Sequence, residues 1–470
     1  MKKTFIILFA AAFALISCEK ELEIGSVDES AYTNVSETLA YLTDANSGKA
    51  STAVAIYSSD YETEIVLNIA TASSSSVSVT LSYDSDYVDT YNSAHGTSYE
   101  AYPSSGVSLG STSLTLSAGS TVSSGVSLSI AALDEEGTYL LPIKATGTGV
   151  SEQECVWVVT NYAVTSTAER YDGEKSVFCI LECNDTNPLN VLQWKLEDGR
   201  YFTDYVCLFA ANINYDSDAG EIYVYCNTQI TYILENYDQV LKPLKEAGIK
   251  VILGILGNWD ESGCAQLSEL GAQHFAKKLA AICDAYDLDG VFFDDEYSGD
   301  PDLDNPLFTE WSVEAGSRLM YECKQAMPDK IVVAYQYQGM YGTDSVDDVD
   351  ADEWVDIVIG DYRKAGVPFG SIGLEKCSGY STEMNYVYYY VRYPQWYSSY
   401  GITQSRCEEI AASDYGYYMI FAPWASGYQG SSMQLGQMEV LAEGFYGQGL
   451  QTPEYYYASS TSLETSEYSE

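Results

Sequence analysis

The segment Leu288-Asp289-Gly290-Val291-Phe292-Phe293-Asp294-Asp295-Glu296-Tyr297 crowds acid at the end of an apolar run. Side chains alternate along an extended strand, so Asp294 and Glu296 share one side while Phe293 takes the other. Two carboxyls held together raise each other's pKa, because a second negative charge disfavours ionisation, and one then keeps its proton near neutral pH. A proton-donating carboxyl beside an ionised one is what cleavage of a glycosidic bond requires. On spacing alone, the same residues also fit a carboxylate metal site or a solvated acidic loop. The nearby run Asp300, Asp302 and Asp304 has calcium-binding residue types, but a solvated loop is the simpler reading.

The rest of the composition narrows the chemistry. His95 and His274 are the only imidazoles, which removes most zinc sites and disfavours a Ser-His-Asp triad, since each needs histidine as ligand or base. The 11 cysteines form no CxxC pair, and Cys179, Cys207 and Cys283 lie in apolar runs where a thiol acts as a small hydrophobe. Carboxylates must therefore carry the acid–base work, with no metal and no cofactor expected. Against 22 Lys and Arg stand 68 Asp and Glu, a net charge of −46 that repels phosphate backbones and anionic membrane surfaces, so nucleic acid is not an expected partner. The 43 tyrosines suit sugar-binding surfaces, though ordinary cores and interfaces use them too.

A strand ending in paired acids needs a scaffold that opens there. After Arg170-Tyr171-Asp172-Gly173 apolar strands alternate with helical segments, the pattern of parallel β/α architecture. Eight strands are expected at Val177–Leu181, Tyr205–Ala211, Lys250–Leu256, Gly290–Asp294, Lys330–Gln336, Val355–Ile359, Ser371–Leu374 and Tyr417–Ala422. Helices are expected at Thr228–Ala247, Ser268–Tyr286, Phe308–Ala326 and Gln404–Ala412. The span 174–447 matches a TIM (β/α)8 barrel, about 250 residues. An open doubly wound sheet is the alternative, weakened because the sequence has no Gly-rich phosphate loop after the first strand.

Ahead of the barrel, residues 49–168 show period-two stretches such as Val77, Val79 and Leu81 or Val126, Leu128 and Ile130, broken by Gly and Ser, which reads as a small all-β sandwich. Residues 19–48 read as a polar linker, and residues 448–470 as a peripheral tail. The first 18 residues, with Met1-Lys2-Lys3, an apolar run from Phe5 to Ile16, and Ser17-Cys18, read as a signal peptide. The segment resembles a bacterial lipoprotein signal, in which Cys18 would be acylated.

The motif Asp289-Gly290-Val291-Phe292-Phe293-Asp294-Asp295-Glu296-Tyr297 resembles the fourth-strand DxxDxDxE signature of glycoside hydrolase family 18, and within it the endo-β-N-acetylglucosaminidase branch. Asp295 stands where the chitinases of that family usually carry Trp. Ile255-Leu256-Gly257-Asn258-Trp259 is similar to the family's third-strand motif. Tyr91 to Tyr99 and Gly137 to Pro142 resemble an N-terminal domain of unknown function found on secreted glycan-processing lipoproteins. The resemblance implies hydrolysis of the β-1,4 bond in the N,N′-diacetylchitobiose core of N-linked glycans. Glu296 would be the general acid and then base, and Asp294 would hold the N–H of an oxazolinium ion formed by the substrate's own acetamido group. Tyr362 would donate to the acetamido oxygen, while Asn258, Trp259, Gln336, Tyr337 and Trp424 would line sugar subsites.

One departure is Phe292, which fills the motif's middle aspartate position and should leave Asp294 with one acidic neighbour fewer. The implied partner is a high-mannose or complex N-glycoprotein, met by a monomer at the cell surface or outer membrane that touches the bilayer through its lipid alone. The competing readings are a chitinase acting on chito-oligosaccharides, which Asp295 disfavours, and a non-catalytic glycan-binding lipoprotein, which Phe292 and the tyrosines would suit.

Overall fold

The computed structural model describes residues 40–148, 150–165, 175–398, 401–424 and 431–468. The signal-like segment and Cys18 lie outside the described residues. The chain divides into two compact units, one built mainly from residues up to 160 and the other from residue 161 onward.

The first unit holds two largely antiparallel sheets. One runs Ala40–Asp44, Tyr61–Ile69, Val126–Ile130, Val107–Leu109; the other runs Ser51–Ile56, Val150–Asn161, Gly137–Gly147, Val77–Tyr83, Ser113–Leu116. Val77, Val79 and Leu81 are buried while their neighbours face out, as the period-two pattern requires. The expected linker 19–48 needs correction at its end. Ala40–Asp44 is a strand paired with Tyr61–Ile69, and the buried Asp44 carboxylate accepts from Ser47 N at 2.8 Å and from the Thr63 hydroxyl. A five-residue strand between polar flanks leaves too short a period to read.

The second unit is a parallel eight-stranded barrel: β1 Ser176–Glu182, β2 Tyr205–Asp216, β3 Lys250–Leu256, β4 Gly290–Asp294, β5 Ile331–Gln336, β6 Ile357–Gly360, β7 Ser378–Glu383 and β8 Tyr417–Phe421. Ladders join β6-β5-β4-β3-β2-β1-β8-β7 in that order. The β6–β7 seam is held by the parallel bridge Val358–Cys377, by Gly360 N donating to Ser378 Oγ at 2.9 Å, and by Ser381 Oγ donating to Gly360 O at 2.5 Å. Alternation sorts the strand residues into two layers. Phe178, Ile180, Cys207, Ile252, Phe292, Val333, Ile357 and Met419 fill the barrel, whereas Val177, Leu208, Val251, Phe293, Val332 and Val358 pack outward in the layer that includes the helices.

The expected seventh strand, Ser371–Leu374, is wrong. That stretch turns, with Gly370 at φ +57° and Ile372 N bonded to Phe369 O, and leads into a short 3-10 turn at Leu374–Lys376. The true β7 looks polar, but its buried hydroxyls are satisfied: Ser378 and Ser381 by Gly360, Thr382 by the Tyr418 hydroxyl at 2.7 Å. Helix bounds shift as well. The expected Thr228–Ala247 helix is two, Thr228–Glu235 and Tyr237–Glu246, and the Phe308–Ala326 helix begins at Val313, where Ser312 Oγ accepts from Ala315 N. The tail forms a hairpin, Tyr455–Tyr457 with Thr465–Glu467, and Asn190 holds Tyr457 through both its N–H and its carbonyl.

One device recurs at the N-terminal edge of the barrel. Asp204, just before β2, accepts from Val177 N in β1; Asp289, before β4, accepts from Val251 N in β3; Asp356, before β6, accepts from Val332 N in β5. Lys245 and Lys250 also hold Asp289, at 2.8 and 3.1 Å, and Lys324 holds Asp356 at 2.9 Å. The first acid of the DxxDxDxE motif therefore sets strand register, at the end of the barrel opposite Asp294.

Candidate active site

At the C-terminal edge of the barrel a cavity of about 480 Å³ is lined by Glu182 from β1, Asn212 from β2, Asp294 from β4, Glu296 just beyond it, Tyr335 from β5, and Tyr362 after β6. The period-two placement of Asp294 and Glu296 thus brings both to one opening. Phe209 and Ala210, joined by a cis peptide, and Phe421 supply apolar wall.

Beneath Asp294 the barrel is aromatic. Phe292 lies 6.1 Å from Phe178, 6.2 Å from Phe209 and 5.5 Å from Tyr335, ring centre to ring centre. Asp294 is 5% exposed, and its Oδ1 accepts no hydrogen bond from any described residue. Burial pushes its pKa well above the carboxylate range, and the charges of Glu296, Asp295 and Asp361 push the same way. Glu296 is also raised, first by burial, while hydrogen bonding from the Tyr297 and Tyr337 side chains pulls it back. The pair thus keeps a proton into the range where an isolated carboxyl has lost it. Phe292 removes an acid below Asp294, yet the dry floor it builds raises Asp294 by itself, and Asp361 provides another negative neighbour. Asp361 is fixed by the Tyr335 hydroxyl at 3.0 Å, Tyr362 N at 2.7 Å and Lys364 Nζ at 2.7 Å.

The other expected site residues divide. Tyr362 lines the cavity, 5.2 Å from Phe421, and its hydroxyl stays protonated because it is buried near Asp294, Glu383 and Glu296. Tyr337 stacks on Tyr335 and serves Glu296. Trp259 is 74% exposed and packs on Tyr297, while Asn258 donates to Asn214 Oδ1; neither lines the cavity. Gln336 is placed otherwise than expected. It is buried, and its amide is spent on Val367, donating to the carbonyl and accepting from the N–H at 2.7 Å each. Trp424 is half-buried and does not line the cavity.

Sequence reading missed Glu182, Asn184, Asn212, Asn227 and Tyr335. Glu182 ends β1 and Asn212 follows Ala211 within β2, so extending each expected strand by one residue would have found them. Among the described residues no group of three or more His, Cys, Asp or Glu is arranged to hold a metal ion.

Over 295 residues, 61% of this chain and 82% of the relative, the sequence is 40% identical to endo-β-N-acetylglucosaminidase F1 of Elizabethkingia meningoseptica. The chain belongs to the endo-β-N-acetylglucosaminidases. Membership bears out the resemblance to that branch of glycoside hydrolase family 18 and makes the protein a glycoside hydrolase. This endo-β-N-acetylglucosaminidase is also 38% identical over 119 residues, 25% of its own length and 37% of the relative's, to an endo-β-N-acetylglucosaminidase of a Flavobacterium species. The crystal structure of Bacteroides thetaiotamicron EndoBT-3987 with a Man5GlcNAc product matches with a TM-score of 0.59 at 36% identity, covering 91% of this chain and 99% of that one. A second structure of that enzyme, with a Man9GlcNAc2Asn substrate, gives the same score and coverage at 35% identity. Residues 32–152 match the family model of an N-terminal domain.

Proposed function

We propose that this endo-β-N-acetylglucosaminidase hydrolyses the β-1,4 bond between the two core N-acetylglucosamines of N-linked glycans, leaving one on asparagine. The observation that carries the reading is the Asp294 carboxyl: buried, raised in pKa, with Oδ1 unmatched by any described donor, in one cavity with Glu296 and Tyr362. The acetamido N–H of a bound sugar supplies the missing donor. Its carbonyl oxygen attacks the anomeric carbon while Glu296 gives its proton to the departing glycosidic oxygen, so one C–O bond forms as the other breaks. Asp294 stabilises the oxazolinium charge through the N–H, and Tyr362 donates to the acetamido oxygen, orienting it. Glu296, now ionised, takes a proton from water, which reopens the ring with retained configuration. The relative EndoBT-3987 carries a substrate with two GlcNAc and a product with one, as this cut requires.

The test is incubation of residues 19–470 with high-mannose and complex glycoproteins and with chitin oligomers, read by mass. Glycan loss leaving one GlcNAc on protein is expected. Shortened chitin oligomers alone, or no mass change, would overturn the proposal. Glu296→Gln should bind glycan and lose at least about 10³-fold in kcat.

The lysine-led apolar segment ending at Cys18 supports a second element of the proposal, an acylated monomer displayed at the outer membrane or cell surface. Radiolabelled palmitate should enter the wild type and not Cys18→Ala; equal labelling would reject the anchor.

A further inference from the structure

Asp295 stands between the two acids of the mechanism and takes no step in it. It is 3% exposed and does not line the cavity that Asp294 and Glu296 share. A single oxygen, Oδ2, accepts from Trp311 Nε1 at 2.7 Å and from Gly339 N at 3.0 Å. Both donors sit on segments that are themselves tied. On either side of Trp311, Thr309 N bonds to Gln266 O and Ser312 N to Ala265 O. Gly339 is hemmed in: a Cβ there would lie 2.1 Å from the Ala265 Cβ and 2.9 Å from Asp295 Oδ2, and a Cβ at Gly316 would lie 2.4 Å from Gly339 O. The segment after β5 therefore has little room to shift independently of Asp295.

That segment carries Tyr337, whose side chain hydrogen-bonds Glu296. Met340 N closes the turn onto Tyr337 O at 3.1 Å, with Gly339 inside it. The contacts form a ring: Asp295 to Gly339, back along the chain to Tyr337, across to Glu296, and one peptide bond back to Asp295. Charge runs through the same ring, since Asp295 adds to the negative field that raises both Asp294 and Glu296. Asp361 after β6 acts on the same two acids, Glu182 of β1 and Glu383 of β7 lie near Tyr362, and Asp300 shares the cavity that Asp295 lines. The Tyr297, Tyr337 and Tyr362 phenols and the buried Cys264 thiol are raised in pKa, so they add no charge near neutral pH. We propose that Asp295 is a positioning residue for the reaction: it ties the segment bearing Tyr337 to the strand end bearing Glu296, and it gives the acid pair a fixed negative neighbour. The proposal rests on Glu296 as the general acid.

Two variants of residues 19–470, assayed across pH on a Man9GlcNAc2-asparagine peptide, separate the two effects. Asp295→Ala loses tie and charge together, and its kcat should fall on the order of 10²-fold with KM changed far less. Asp295→Asn keeps the tie, because one amide oxygen can accept from both Trp311 Nε1 and Gly339 N, and it loses only the charge. It should recover most of the kcat, while the alkaline limb of kcat/KM moves down on the order of half a pH unit, since the acid pair releases its proton more readily. A purely structural role would leave that limb where it is. Wild-type kcat in Asp295→Ala, an Asp295→Asn as slow as Asp295→Ala, or a limb that stays in place or moves up in Asp295→Asn overturns the proposal. Should Asp295→Ala fail to fold, the limb of Asp295→Asn decides by itself. A wild type inert toward the glycopeptide, or a Glu296→Gln variant with unchanged turnover, overturns the proposed function instead.

Discussion

The amide of Gly257 donates to the carbonyl oxygen of Glu296 at 3.0 Å, and a Cβ added at Gly257 would lie 2.3 Å from that oxygen. Two further backbone bonds continue the contact, Trp259 N to Tyr297 O at 2.5 Å and Gly299 N to Asp260 O at 2.6 Å. The loops after β3 and β4 are therefore zipped, and Trp259 and Tyr297 both take left-handed backbone, φ +62° and +61°. A conformation so costly to a bulky residue persists only where its surroundings enforce it.

Gly257→Ala should push the Glu296 backbone outward. Because a misplacement of an ångström is enough to spoil proton transfer, kcat is expected to fall on the order of 10²-fold, with KM changed far less. Steady-state kinetics on a glycopeptide checks this, and a variant with wild-type kcat would show that the zipper does not position the acid.

Tyr337 lowers the Glu296 pKa by hydrogen-bonding its ionised form. Removing that hydroxyl with Tyr337→Phe should raise the pKa, so the general acid stays protonated to higher pH. The alkaline limb of the kcat/KM profile is expected to move upward in pH. A limb that stays in place or moves down contradicts the assignment.

Asp294 has its pKa raised by folding. Unfolded, it titrates near the usual value of about 3.9, so between the two pKa values the folded chain holds the extra proton and stability falls as pH rises. Asp294→Asn removes that loss. Its Tm should exceed the wild-type value at pH 7 to 8, by roughly 2–4 °C for each kcal/mol released, and the gain should vanish below about pH 4. Activity should drop on the order of 10²-fold or more in the same protein. Calorimetry across pH reads the first outcome and kinetics the second.

Phe292 fills the barrel interior at 1% exposure, among other rings. Restoring the motif's aspartate by Phe292→Asp would leave a void and place a carboxyl in apolar surroundings, a cost of about 3–5 kcal/mol or more. Chemical denaturation should show that loss; an equally stable variant would mean that the floor tolerates charge.

Asp289 should separate stability from chemistry. Asp289→Ala leaves the Val251 amide without its carboxylate and Lys245 with Asp287 alone, a cost of roughly 1–3 kcal/mol, while kcat well below Tm should stay within about threefold of wild type. Loss of kcat without loss of Tm would place Asp289 in the chemistry.

Much of this was legible because the signals were local. Seven of the eight barrel strands are apolar runs with both faces covered, and the alternation that turns Phe292 inward and Phe293 outward also brings Asp294 to the cavity. β7 was not legible, because Ser378, Ser381 and Thr382 are buried on the strength of partners in β6 and β8. Gln336 was misplaced for the same reason, since its role is fixed by where Val367 lies. Asn184 and Asn227 reach the cavity from loops whose paths follow from tertiary packing, and Asn227 donates to Asn184 at 3.1 Å.

The carboxylate clasps of Asp204, Asp289 and Asp356 fasten neighbouring strands at the rim farthest from the cavity. Strand register and the acid pair are thus held at opposite ends of one cylinder. The cavity residues Asn184, Asn212 and Asn227 can therefore change without loosening any of those three contacts, which leaves substrate fit free to vary on a fixed foundation.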